Sequence, residues 1–232
     1  MRKIDKKCLL STAYKAWEES IETSGQNHPK YNSSKGKYYL DIIMNLFHCQ
    51  KGLCAYTEMH LCSPKYYIKD NWKKSTGKYL NRDHPNKPKA RGQLEHFDRN
   101  KKENQAWLWD NLFMADSDVN TKIKSKNKVD SILKPDSANY DEFTLLEYDY
   151  SKHIFIPNTS LGKAKQVKIK KMIDTLGINF DPVIDLRRMH LDPIIQLIDF
   201  GAKTWTNIKI EQFPTAFEMI KREILNLPVR PS

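Results

Sequence analysis

Three short stretches hold side chains able to act together on a phosphodiester. Glu95-His96 sets an acid beside a base, Asn111 of Asp110-Asn111 comes 15 positions after His96, and Asn120 follows nine later, with Lys122 close behind. Hydrolysis of such a bond needs a base for water, a hard cation for charge on the phosphate and the departing oxygen, and something that fixes the base. Histidine suits the first task, because its ordinary pKa of about 6.5 lies near working pH. Glu95 and the Asn120 amide are oxygen donors, which suit Mg²⁺ or Mn²⁺ better than zinc. Asn111 does not titrate, so its expected work is hydrogen bonding that holds a loop and orients the imidazole.

Two strands and a helix are needed to bring these residues together. A short strand ends in Glu95-His96, a second strand or turn carries Asp110-Asn111, and a polar helix from Asp118 to about Lys126 carries Asn120. Around them the pattern is helical. Leu10, Ala13, Trp17 and Ile21 share one face over 5–22, and Tyr39, Ile42, Ile43, Leu46 and Phe47 repeat the pattern over 36–50. Gly52 marks a turn before a short β-like run from Leu53 to Thr57. Ile169, Met172, Ile173 and Leu176 recur at helical spacing, with Gly177 as the stop. Asp181-Pro182 and Asp192-Pro193 each read as an N-cap followed by proline, opening two short helices, the first carrying Arg187 and Arg188 as exposed bases. Thr215 and Glu218 form a capping box for a last helix. Asp98, Asp116 and Asp118 read as caps of turns or helices, or as outer contacts to the metal. His28, His84, His153 and His190 read as surface or hydrogen-bonded core residues.

The 232 residues make one large domain or two small ones. Lys and Arg number 39 against 28 Asp and Glu, so the net charge of +11 points to a polyanionic partner or to a solvated lysine-rich surface. The charge is concentrated between Pro64 and Arg91, where Lys69, Lys73, Lys74 and Lys78 alternate with Trp72 and three tyrosines. Rings that stack on bases and lysines that meet phosphate suit a surface that tracks a nucleic-acid strand. No run approaches the roughly 20 apolar residues of a membrane span. The opening Met1-Arg2-Lys3-Ile4-Asp5-Lys6-Lys7 is not followed by a secretory apolar stretch. Four cysteines are too few for a disulfide framework, so a reducing cytoplasm is expected.

These motifs resemble the HNH (ββα-metal) nucleases, and most closely the PtuB-like proteins of Septu and retron antiphage systems. The resembling residues are Gly52-Leu53-Cys54-Ala55-Tyr56, Glu95-His96-Phe97, Trp109-Asp110-Asn111-Leu112, Asn120 with Lys122, and Leu176-Gly177-Ile178-Asn179 with Arg187 downstream. The resemblance implies His96 as general base, Glu95 and Asn120 as metal ligands, and Asn111 as a structural amide. It also implies a bacterial endonuclease acting on DNA or RNA beside a PtuA-like ATPase of the same operon, or within a retron reverse transcriptase and noncoding RNA complex. The expected architecture is α+β and predominantly α-helical, with a small ββα core over 51–130, N-terminal helices over 1–50 and a helical region over 131–232, packed as one domain. Members often add a structural zinc on two Cys-x-x-Cys pairs. Here those positions read Cys54, Thr57, Asp116 and Val119, and one thiolate does not hold a tetrahedral zinc. No structural zinc is expected, the alternative being a rearranged site from Cys49, Cys62, His48 and His60. A rival to catalysis is an idle ββα adaptor that only binds nucleic acid or the ATPase.

Overall fold

In a computed structural model the chain is described at residues 1–6, 12–29, 31–67, 72–73, 78–79 and 91–227. It divides into two compact units, one of Ile4–Ala55 with His60–Asn120, the other of Met1–Lys3 and Tyr56–Met59 with Thr121–Ser232. Both mix helices with short antiparallel pairs, so the class is α+β. No helix among the described residues is long and apolar enough to cross a membrane.

The first unit begins with helix α1, Thr12–Ser24, and helix α2, Tyr31–Cys49. The helix expected over 5–22 therefore starts later. Residues 1–6 are not helical, Leu10 lies outside the described residues, and the Lys6 amine is spent on the Trp109 carbonyl at 2.9 Å. Tyr14, Trp17, Tyr38, Trp107 and Trp109 form one aromatic cluster, with ring centroids 5.0–6.5 Å apart, and all but the half-buried Trp17 are buried. The run from Leu53 to Thr57 is a turn rather than a strand, held by a bridge between Leu53 and His60 and by the Ala55 amide on the Met114 carbonyl. Gly52 enters that turn at φ +72°, where a Cβ would sit 2.0 Å from the Cys62 carbonyl. Only glycine fits there.

Helix α3, Pro64–Tyr67, is followed by the two-residue strands β1, Trp72–Lys73, and β2, Lys78–Tyr79, paired in register Trp72 with Tyr79. Strands β3, Gln93–His96, and β4, Leu112–Ala115, pair antiparallel with Glu95 opposite Phe113 and His96 opposite Leu112. A π-helical segment, Val119–Lys124, replaces the expected α-helix from Asp118. Its start is capped by the Asp116 carboxylate, which accepts the amides of Asp118 and Val119.

In the second unit, helix α4, Glu142–Leu145, leads into strands β5, Leu146–Asp149, and β6, Ile154–Pro157, which form an antiparallel pair. Helix α5, Lys163–Thr175, packs on β6 and buries Ile169, Met172 and Ile173. Helix α6, Asp181–Asp199, is one continuous helix with Pro193 inside it, not two short helices. Asp192 does not cap a second helix; its carboxylate accepts from the Tyr150 hydroxyl and pairs with His153. Helix α7, Pro214–Ile224, lacks the expected capping box. Glu58 takes that role, accepting the Thr215 amide at 2.9 Å and the Thr215 hydroxyl at 2.5 Å. Arg187 is wholly buried, contrary to the exposed position expected of it. Its guanidinium donates to the carbonyls of His153 and Ile178, at 2.5 and 2.8 Å, beside the rings of Phe155 and Phe213.

Candidate functional site

Glu95 and His96 lie on β3, Asn111 ends the 3₁₀ turn Trp109–Asn111 just before β4, and Asn120 lies on the π-helical segment after β4. His96 occupies the last ladder position, where the chain leaves β3 for the loop to β4. Its Nε2 lies 2.8 Å from the Ala106 carbonyl. A carbonyl only accepts, so Nε2 carries the proton and the neutral ring has its lone pair on Nδ1. Asn111 closes the same loop from the other end. Its Oδ1 accepts the Asp98 amide at 2.8 Å and its Nδ2 donates to the Asp98 carbonyl at 2.9 Å, as a neighbouring strand would. The Phe97 amide adds a bond to the Asn111 carbonyl. Asp98 in turn caps the following 3₁₀ turn through the Asn100 amide.

Strand alternation turns Glu95 to the same face as Gln93 and His96 to the other. Gln93 accepts from Asn120 Nδ2 at 3.3 Å, so Glu95 and Asn120 border one face of the pair. The acid and the base thus leave the strand on opposite sides, and Gln93, which holds Asn120, stands at the opposite end of the β3 ladder from His96. Burial is heavy: Glu95 is 2% exposed, His96 7% and Asn111 3%. Asn120 is half-buried and Lys122 exposed.

Several residues that sequence patterns did not mark hold this arrangement. The loop that orients His96 is tied to the N-terminal segments. The Trp107 amide donates to His28 Nδ1 at 3.1 Å, the Trp109 amide to Glu18 at 2.6 Å, and the Tyr14 hydroxyl to the Trp107 carbonyl. Burial lowers the His28 pKa, which suits a ring that must accept at Nδ1, and raises that of Glu18. Gln50 braces β4 by accepting the Met114 amide and donating to its carbonyl, both at 2.8 Å. A polar residue at the end of the apolar face of α2 was the one clue to Gln50.

Against models of known families and against curated proteins, the chain matches none. Among the described residues no three His, Cys, Asp or Glu side chains are grouped to hold a metal ion. Cys49, Cys54 and Cys62 are buried and unbridged. Cys54 Sγ accepts the Asp116 amide at 3.4 Å, and burial pushes the Cys62 thiol up to about 12. His48 Nδ1 meets the Tyr67 carbonyl at 3.1 Å. Of the basic stretch, Lys69 and Lys74 lie outside the described residues, as does His84. Trp72, Lys73 and Lys78 stand on β1 and β2.

Proposed function

We propose that the chain is a metal-dependent endonuclease of the HNH type, with His96 as general base, Asn111 as the residue that positions it, and Glu95 and Asn120 as ligands of one Mg²⁺ or Mn²⁺. The observation that carries this reading is the pairing of two restraints on one loop: Ala106 sets the His96 tautomer, and Asn111 grips both main-chain groups of Asp98. Such restraints are what a general base requires, because its lone pair must be aimed before water arrives. His96 takes the proton of the attacking water at Nδ1, and Nε2 stays on the Ala106 carbonyl throughout. A carboxylate and an amide oxygen bordering one face fit a hard divalent cation, which when bound would offset charge on the departing oxygen. Lys122, exposed two residues after Asn120 on the π-helical segment, adds a contact to phosphate. The resemblance further suggests a cytoplasmic bacterial defence effector working beside a PtuA-like ATPase, with DNA as the first substrate and RNA, such as tRNA, as the alternative.

One observation favours a second reading. Glu95 and His96 are nearly closed to solvent, as they would be in an idle ββα adaptor that only binds. Incubating the whole chain, alone and with its operon ATPase, with plasmid DNA and total RNA in Mg²⁺, Mn²⁺ or EDTA separates the two. The nuclease reading expects metal-dependent cuts with 5′-phosphate ends that vanish in His96→Ala. Binding without cleavage under every condition would leave the adaptor.

A further inference from the structure

Helix α6 turns an apolar face to solvent. Pro182, Leu186, Met189, Pro193, Leu197 and Phe200 recur at intervals of four, three, four, four and three residues. At about 100° per residue they fall within an arc of roughly 80°. The opposite arc is the buried one and carries Val183, Arg187, Leu191 and Ile195. All six outward residues are exposed, Phe200 by 85% and Met189 by 73%. The row is about 28 Å long at 1.5 Å per residue. Single exposed apolar residues are ordinary on a protein surface, whereas a contiguous row of this kind marks a contact surface.

The border of the row says what fits it. Exposed Asp181, Asp185 and Asp199 line one side, with Arg188 as the one base among them, 3.6 Å from Asp185, while Asp192 on the same side is engaged by Tyr150 and His153. Three exposed acids to one base is the reverse of the chain as a whole, whose net charge is +11. We infer that this face docks an amphipathic helix of about five turns, supplied by another protein, whose apolar seam is bordered by Lys or Arg. A second copy laid antiparallel on α6 would set the acidic border against itself, and an anionic bilayer would be repelled by the same aspartates. Nothing in this surface depends on His96 or Asn120, so the inference stands or falls apart from the nuclease reading.

Two synthetic helical peptides with the same leucine seam, one bordered by lysines and one by glutamates, test it on the whole chain by fluorescence anisotropy. The lysine peptide is expected to bind at least tenfold more tightly, and its affinity to fall with salt. General charge works the other way, because a strongly basic protein attracts the glutamate peptide, so this order of affinities reports α6 itself. Met189→Asp and Phe200→Asp should each weaken the lysine peptide at least tenfold. Asp185→Asn with Asp199→Asn should narrow the gap between the peptides, with the melting temperature unchanged. Equal binding of both peptides, tighter binding of the glutamate peptide, or indifference to Met189→Asp would overturn the proposal. So would a dimer of the free chain that Met189→Asp dissolves, which would make a second copy the occupant.

Discussion

The pairs β3–β4 and β5–β6 have ladders of equal length, four residues on each strand, and each keeps a buried histidine at its turn end. What differs is how the histidine is held. His153 sits in a four-residue turn at φ +55°, and both its ring nitrogens are engaged by side chains: Nδ1 with the Tyr148 hydroxyl and Nε2 with Asp192, each at 3.0 Å. His96 stands before a long loop and is oriented by a main-chain carbonyl on that loop. A ring bonded to a phenol and a carboxylate is part of the packing. His96 instead bonds the main chain of a loop that Asn111, His28 and Glu18 brace.

Exchanging the two roles is the sharpest way to break this comparison. His96→Ala should lower cleavage per folded molecule by at least about 10²-fold, beyond any loss of stability from the cavity it leaves. His153→Ala should cost about 2–4 kcal/mol in denaturant unfolding, because it removes the ring bonded to Tyr148 and Asp192 and leaves a cavity, with cleavage per folded molecule retained. Parallel losses in both variants would erase the distinction. Gly52→Ala comes next. The left-handed backbone alone costs about 1–3 kcal/mol, and the Cβ placed against the Cys62 carbonyl adds to it. Proteolysis and fragment mapping should show the opening confined to the β3–β4 unit, whose Gln50 brace leaves from that turn.

Carboxamides give a finer test. Asn179 grips Phe155 of β6 just as Asn111 grips Asp98: Oδ1 accepts the amide at 2.9 Å and Nδ2 donates to the carbonyl at 2.7 Å. Each replaced by alanine should cost about 1–3 kcal/mol. Only Asn111→Ala should also depress cleavage, and added metal should not restore it, since its effect runs through the aim of His96. The smallest effect is in pH. Burial, the leading cause, lowers the pKa of His28, His153 and His190 below 6.5. Unfolded, each binds its proton more readily, so the stability they contribute is complete above about pH 6.5 and is lost as pH falls through that value toward the folded pKa values. Melting temperatures should drop between about pH 7 and about pH 5, and His153→Ala should shallow the drop.

The order of two strands and a helix around Glu95, His96, Asn111 and Asn120 was legible because it rests on local spacing, as did the amphipathic period of α5. What escaped was everything decided at a distance. Asp192-Pro193 carries a genuine helix-start signal, yet the carboxylate found a buried histidine and a tyrosine from the β5–β6 turn, and the helix ran through. Thr215 and Glu218 spell a capping box, but Glu58 occupies the amide first. Arg187, Gln50 and His28 bond to main-chain groups, and a main-chain partner leaves no residue type in the sequence to pair with. The π-helical turn at Asn120 was equally hidden, since one extra residue per turn changes no local composition.

Gripping both main-chain groups of one residue has an observable consequence of its own. The amides of Asp98, Met114 and Phe155 are closed by the side chains of Asn111, Gln50 and Asn179 rather than by secondary structure. Their exchange with deuterated solvent therefore clocks the opening of three individual side chains. At Asp98 that clock runs in the loop that aims His96. Its rate measures how firmly that loop is held.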